Sequence, residues 1–273
     1  MNQKVVLVRL KGGLGNQLFQ WACAHEVVSR LDARLLIDPR PIRRLNSRSW
    51  LDNRDFELDY FGIRPQIFDF LRLRLSGNRL FEEADYVYDH RIESVTPPLI
   101  IQGYFQSWRY FRSQSDEIRR YLRAHANQSS ELRRIAGSLS SSRWIGVHVR
   151  RGDYLRTNQM AILGKEYYEP AIDLARAEVG DVPVVVFSDS PDLARLVVPR
   201  ADLFIGSPEL PTPGDNLMLM SRAHFLIGAN SSMSWWAAFL RDQSLPNPVL
   251  PRTWFTNPSR STKDLFLPGW TLV

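Results

Sequence analysis

Val5-Val6-Leu7-Val8-Arg9-Leu10-Lys11-Gly12-Gly13-Leu14-Gly15-Asn16-Gln17 is the stretch on which the fold reading turns. Val5–Leu10 is a nearly continuous apolar run, as expected of a parallel strand buried on both faces. Lys11–Asn16 is a glycine-rich turn, Gln17–Leu31 carries a helical pattern, and Arg34–Ile37 is a second short apolar run. Strand, tight turn, helix and strand in that order make a Rossmann-like βαβ unit. The turn does not follow the dinucleotide spacing, because Leu18 stands where the third glycine of G-x-G-x-x-G belongs. A dehydrogenase remains a rival reading only through Asp38, an acid near the end of the second strand.

The same alternation continues downstream. Gln66–Leu75 is expected to be a helix, Leu99–Ile101 a strand, and Asp116–His125 a helix capped by Ser113 or Ser115. The polar, serine-rich stretch Asn127–Arg143 reads as a connection between two domains, placed at 1–135 and 143–273. The second domain then runs through a strand at Trp144–Val149 and a helix at Glu166–Val179, with Pro170 tolerable only in a first turn. A strand follows at Val182–Phe187, then a helix capped by Ser190 and started by Pro191. Leu203–Ile205 and Phe225–Gly228 are strands; Asp215–Ala223 and Ser234–Leu240 are helices. In such sheets ligands bind beyond the carboxyl ends of the strands. Lys11–Gln17, His148–Tyr154, Ser188–Ser190 and Ala229–Ser232 all fall there.

Composition narrows the function classes. The 273 residues are 44% hydrophobic and 23% charged, within the normal range for a globular chain, and the net charge is +6. The positive charge is nearly all arginine, since Lys4, Lys11, Lys165 and Lys263 are the only lysines. Arginine grips phosphate through a planar fork, so this bias suits a phosphate-bearing ligand or an anionic membrane surface; a compositional bias of the genome would leave the same mark. Zinc-finger spacing, an aromatic RNA-binding signature and a basic helix with heptads are all missing, which argues against nucleic acid. The single cysteine, Cys23, allows no internal disulfide and fits a reducing compartment. Met1–Leu10, with Lys4 and Arg9 inside it, is not expected to be a signal peptide, and no run approaches the length of a membrane span.

In His148-Val149-Arg150-Arg151-Gly152-Asp153-Tyr154, two adjacent arginines leave a buried strand and enter a turn that can bring both to one ligand. Fixed guanidinium groups stabilise the negative charge that grows on a departing diphosphate. Asp153 can orient an arginine or accept a proton; the competing reading is a structural Arg–Asp pair. Gly13 and Gly15 let the backbone approach a ligand, and the helix start beyond them can receive an anion. Asn230-Ser231-Ser232 offers two hydroxyls at another helix N-terminus, as a phosphate cradle or as an ordinary N-cap. Asp189 can accept the two donors of a guanine edge or simply cap the following helix. The sequence carries no H-E-x-x-H, no Cys–His cluster and no D-x-D, so no metal site or other cofactor is expected.

Taken together these blocks resemble the α-1,2-fucosyltransferases of glycosyltransferase family eleven, particularly the bacterial type. The resemblance runs through Gly12–Gln20, Gly103-Tyr104-Phe105-Gln106-Ser107 with Tyr110-Phe111, His148–Tyr154, Tyr167-Tyr168, Phe187-Ser188-Asp189, Asp215–Met218, His224, Ala229–Trp236, Pro251 and Trp254-Phe255. Two positions depart from the family pattern: Ser190 replaces a second acid, and Met233 stands where phenylalanine is usual. The resemblance implies an α/β, GT-B-like architecture, two Rossmann-like domains facing a cleft, with the second holding GDP-fucose. It implies that Arg150 binds the β-phosphate, that His148 and Asp189 read the guanine, and that Ser231 and Ser232 hold phosphate oxygens, with Arg151 and Asn230 counted among the donor-binding residues. Asn16 would reach the reacting centre from the acceptor-side domain.

The reaction so implied moves L-fucose with inversion onto the 2-hydroxyl of a terminal galactose, or a similar hexose, of an oligosaccharide or lipid-linked glycan, without a metal. Arg150, Asp153 and Asn16 are the catalytic candidates, with Asp38 and Glu166 as other possible bases. A different GDP-sugar or linkage, or a non-catalytic glycan- or nucleotide-binding protein, are the alternatives. The expected location is cytoplasmic, with the Arg40–Arg48 loop touching the anionic inner membrane face.

Overall fold

The structure is a computed structural model and describes residues 4–43, 55–65, 79–152, 154 and 160–273. Arg44, Arg48, Asp153 and the helix expected over residues 66–75 lie outside the described residues. The chain forms two compact units. One comprises the residues up to Ala126 together with Arg260–Phe266; the other comprises Asn127–Ser259 and Leu267–Val273. The boundary therefore comes before the expected connection. Residues 130–139 are not a linker but a helix packed within the second unit, with Ile135 and Leu132 on its buried face.

The first unit is built on β1 (Val5–Arg9), β2 (Arg34–Asp38), β3 (Arg79–Glu82) and β4 (Leu99–Gln102), all parallel in the order β2-β1-β4-β3. Between β1 and β2 runs α1 (Leu14–Leu31), and the unit closes with α2 (Ser115–His125). Helix α1 starts earlier than its apolar pattern suggests, because Gly13 takes the extended N-cap geometry, with φ −81° and ψ −175°.

The glycine-rich turn before α1 is clamped from below by two fully buried glutamines. Gln20 accepts from the Lys11 amide at 3.0 Å and donates to the Lys11 carbonyl at 3.1 Å. Gln17 donates to the carbonyls of Gly12 and Asp55 at 2.9 and 2.8 Å and accepts from the Glu57 amide at 3.0 Å. Buried peptide groups need such partners, and a turn cannot supply them from its own backbone. The expected serine cap of α2 is not what the structure shows. Glu26 accepts from the Ser113 hydroxyl and the Gln114 amide, and Ser115 lies inside the helix, donating to the Phe111 carbonyl.

The second unit begins with α3 (Ser130–Leu139). It contains a six-stranded parallel sheet in the order β10-β9-β8-β5-β6-β7. The strands are β5 (Ile145–Val149), β6 (Val184–Ser188), β7 (Leu203–Ile205), β8 (Phe225–Ile227), β9 (Val249–Leu250) and β10 (Thr271–Leu272). The intervening helices are α4 (Lys165–Val179), α5 (Pro191–Val197), α6 (Pro213–Met220) and α7 (Ser232–Leu240). Strands β5 and β6 are buried along their whole length, as an all-parallel sheet covered on both faces requires.

Pro170 is the sixth residue of α4 and not in its first turn. A proline there ordinarily costs about 3 kcal/mol; burial of Tyr167, Tyr168, Ala171 and Ala175 against the sheet offsets it. Ser190 stands at the N-cap of α5 without using its side chain; its amide donates instead to Ser188 Oγ at 3.0 Å. Asp215 is fully buried near the start of α6, where Oδ1 accepts at 3.2 Å from the amide of Ser129, the cap residue of α3. That family-type residue is thus a fastener between two helices.

Gly228 follows β8, where a Cβ would collide with the Leu250 side chain and lie 2.9 Å from Ser234 Cβ. Overpacking of this kind costs about 1–3 kcal/mol. Gly228→Ala is expected to lower the urea midpoint accordingly, with an unchanged slope of the transition.

Candidate active site

Strands β5, β6 and β8 are neighbours, and their registers pair Val149 with Ser188 and Val147 with Ile227. Parallel strands in register bring their carboxyl ends to one edge, so the turns after all three converge although residues 150 and 230 are far apart in the chain. The expected grouping of His148, Arg150, Arg151, Asp189, Asn230, Ser231 and Ser232 is therefore found within the second unit.

Asp189 organises this edge. Its Oδ1 accepts from the amides of Arg151 and Gly152, both at 3.1 Å, and its Oδ2 lies 3.2 Å from Arg150 Nε. It does not cap α5. A Cβ on Gly152 would come within 2.8 Å of Asp189 Oδ2, so the close approach of turn to carboxylate needs glycine there. Arg150 is about one quarter exposed, and its guanidinium carbon stands 5.8 Å from the Tyr154 ring centroid. Held by a carboxylate on one side and an aromatic face on another, Arg150 is a pre-placed cation. Arg151 goes elsewhere: its Nη2 donates to the Leu163 carbonyl at 2.6 Å, while its Nε is buried without a hydrogen-bond partner among the described residues.

His148 is buried, and its Nδ1 sits 2.6 Å from Ser234 Oγ, on the first turn of α7. Ser234 Oγ also accepts from the Ala229 amide at 2.8 Å. Asn230 is a brace: its Nδ2 donates to the carbonyls of Ala161 and Trp254, both at 2.8 Å. Ser231 caps α7 by accepting from the Met233 amide at 3.3 Å, and Ser232 is the first residue of that helix. Both hydroxyls stand at the end of the helix that attracts anions.

Three tyrosines tie these turns to the fold, a role the sequence reading does not assign. Tyr168 donates to the His148 carbonyl at 3.1 Å, Tyr167 to the Gly228 carbonyl at 2.6 Å, and Tyr154 to the Asn230 carbonyl at 2.8 Å. Burial pushes the phenols of Tyr167 and Tyr168 up, so both remain hydrogen-bond donors at any working pH. Their adjacency in a family-type block was the only sequence signal.

Asn16, Gly13 and Gly15 belong to the first unit, on the glycine-rich turn and the first turn of α1. Asn16 Oδ1 accepts from Gln106 Nε2 at 2.7 Å. Gly12 has φ +74°, and a Cβ there would collide with the Asn16 side chain. Of the other carboxylates considered, Asp38 is 2% exposed and doubly bonded by Arg40 Nε and Nη2, each at 2.8 Å. Glu166 accepts from the Gly164 amide at 2.9 Å, at the start of its own helix. Among the described residues no group of three or more His, Cys, Asp or Glu side chains is placed to hold a metal ion, and no helix is long and apolar enough to cross a membrane.

Ser234→Ala strips a partner from two buried groups, His148 Nδ1 and the Ala229 amide. Leaving buried polar groups unsatisfied costs about 1–3 kcal/mol each. A urea midpoint close to that of the unaltered protein would show that His148 is not held as described.

Comparison with known proteins agrees with this geometry. The model of the family "Glycosyl transferase family 11" matches residues 87–273. The Escherichia coli alpha-1,2-colitosyltransferase is 25% identical over 98% of this chain and 99% of its own length. The rat galactoside alpha-(1,2)-fucosyltransferase 1 is 29% identical over 64% of this chain and 50% of its own. Among solved structures, the NodZ alpha-1,6-fucosyltransferase co-crystallised with GDP superposes with a TM-score of 0.50 at 18% identity, over 91% of this chain and 94% of that one. That likeness supports the expected α/β, GT-B-like fold class. The match extends across most of the chain and includes every turn that converges on the second sheet's edge, so this chain belongs to glycosyl transferase family 11.

Proposed function

We propose that this chain moves L-fucose from GDP-β-L-fucose to the 2-hydroxyl of a terminal galactose, or a similar hexose, on a glycan, with inversion and without a metal ion. The observation that carries the reading is Arg150, fixed by Asp189 at the same sheet edge as the N-terminus of α7. A cation, two serine hydroxyls and a helix dipole gathered there suit a nucleoside diphosphate. The similar proteins named for α-1,2 transfer supply the linkage, and the GDP in the NodZ structure supports the nucleotide.

In this reading the acceptor oxygen attacks fucose C1 as the bond from C1 to the β-phosphate oxygen breaks, and the electron pair leaves on GDP. Positive charge grows on the sugar and negative charge on the diphosphate. Arg150, the first amides of α7 and the hydroxyls of Ser231 and Ser232 stabilise the leaving group where other enzymes use a divalent cation. His148 faces the nucleotide from the buried end of β5. Asp153 takes the acceptor proton; Asp38 and Glu166 are already committed to Arg40 and to the Gly164 amide. Asn16 orients the acceptor side. Asp189 holds Arg150 and the turn, and is not assigned to the guanine, because both its oxygens are engaged.

One observation favours a second donor. A relative aligned over nearly the whole chain is named for colitose, which is fucose without its 3-hydroxyl. A site that hydrogen-bonds a hydroxyl rejects the analogue lacking it by about 10⁴–10⁵, whereas an apolar pocket rejects the added hydroxyl by only about 10². Competition between GDP-fucose, GDP-colitose and GDP-mannose on galactose-ended oligosaccharides, read by mass spectrometry, separates the readings. Dominance of GDP-mannose would overturn the proposal.

Removing a fixed donor to a developing oxyanion costs about 3–4 kcal/mol of barrier. Arg150→Ala is therefore expected to lose hundreds-fold or more in rate with its circular dichroism unchanged. Turnover with GDP-fucose is expected to survive excess chelator, and loss of turnover on chelation would remove the metal-free mechanism.

A further inference from the structure

Glu83 follows β3 at the carboxyl end of the first sheet, and its side chain is half-buried. Its Oε2 accepts from two consecutive amides beyond β4, Tyr104 at 2.7 Å and Phe105 at 2.8 Å. Its Oε1 is buried on the side of the Tyr110 hydroxyl. The turn it grips is an unusual one. Phe105 is fully buried with φ +52°, a left-handed conformation that a bulky side chain rarely adopts. Gly103 admits no Cβ, which would lie 2.5 Å from Glu83 Cβ. The next residue, Gln106, donates to Asn16 Oδ1.

We propose that Glu83 is a positioning residue for glycosyl transfer, acting through the Gly103–Gln106 turn to hold Asn16 in place. The chain of contacts is short: carboxylate to two amides, a left-handed residue held by that grip, then a side-chain amide onto Asn16. The inference rests on the transfer reaction proposed above and on the role of Asn16 within it. A backbone held away from its relaxed conformation persists only where its surroundings impose it, and a carboxylate receiving two amide hydrogens imposes it strongly.

Burial raises the Glu83 carboxyl to about 7, against the opposing pull of the Phe105 and Tyr104 amides, of the Tyr110 hydroxyl and of Lys11. The titratable groups around it are Lys11 beyond β1, Cys23 on α1, Tyr86 in the loop after β3 and Tyr110 in the following helical stretch. The folded state raises this acid above its usual 4.5, so folding takes up a proton between those values. The contribution of Glu83 to stability is therefore greatest at low pH and is lost as pH rises through about 7, while its grip on the turn is strongest once ionised.

The test compares Glu83→Gln and Glu83→Ala with the unaltered protein. Glutamine keeps a carbonyl for the two amides but never ionises. The unaltered protein is expected to gain kcat as pH rises through 7, with that limb absent from Glu83→Gln, and Glu83→Ala is expected to lose kcat by about a hundredfold, the scale of an ångström of misplacement. Titration with GDP is expected to be unchanged in both variants. Adding Glu83→Ala to Asn16→Ala is expected to lower the rate no further than Asn16→Ala alone. Two readouts need no turnover: hydrogen exchange at residues 103–107, expected to rise in Glu83→Ala, and thermal stability from pH 5 to 8, expected to fall in the unaltered protein relative to Glu83→Gln. If no fucose is transferred at all, the function fails and these two still judge the grip. An unchanged pH limb in Glu83→Gln, rate losses that multiply with Asn16→Ala, or unaltered exchange at 103–107 would each overturn the role of Glu83.

Discussion

The carboxylate of Asp189 receives the amides of Arg151 and Gly152 and faces the guanidinium of Arg150. One acid from the turn after β6 thereby sets the shape of the turn after β5 and the position of its cation. Parallel pairing of β5, β6 and β8 makes this possible, because it puts consecutive turns at one edge. Without the acid, two adjacent arginines in an exposed turn would repel each other and sample many rotamers. With it, Arg150 is placed before any ligand arrives, and a charge that does not reorganise is what stabilises a departing anion.

The same device recurs through the molecule. These turns at the carboxyl ends of strands have peptide groups taken up by side chains from neighbouring elements: Gln17 and Gln20 under the glycine-rich turn, Glu83 under the turn after β4, Tyr167 and Tyr168 beneath β8 and β5. Turns at strand ends cannot complete their hydrogen bonds locally when packed against a core. Polar side chains on buried faces do it for them, at the cost of placing a glutamine or tyrosine where a leucine would pack. That need explains why α1 carries two fully buried glutamines among the buried apolar residues Leu18, Phe19 and Ala22.

These braces also revise what the named site residues do. Asn230, read as a phosphate ligand, spends its amide on Ala161 and Trp254. Arg151, read as a second cation at the diphosphate, turns to the Leu163 carbonyl. Such residues are inseparable from direct ligands in a sequence motif, because both kinds tolerate little change. Only their partners distinguish them, and those partners are up to 90 residues away, as with Asn16 and Gln106.

From residue order alone came the alternation of strand and helix, the glycine-rich turn, the turns that lie at strand ends, and the family, because these depend on local periodicity and on short residue blocks. The domain boundary was misplaced by its serine content, since a polar amphipathic helix such as α3 differs from a linker chiefly in what it packs against. The acceptance of Pro170 inside α4 and the engagement of Ser113 and Gln114 by Glu26 were decided by contacts between distant segments. So was the grip of Glu83 on the turn after β4, since in sequence Glu83 is only the second of two adjacent acids at the end of a short strand. Periodicity records which face of an element is apolar, but the pairing of a buried carboxylate with two particular amides exists only once the strands that carry them lie side by side.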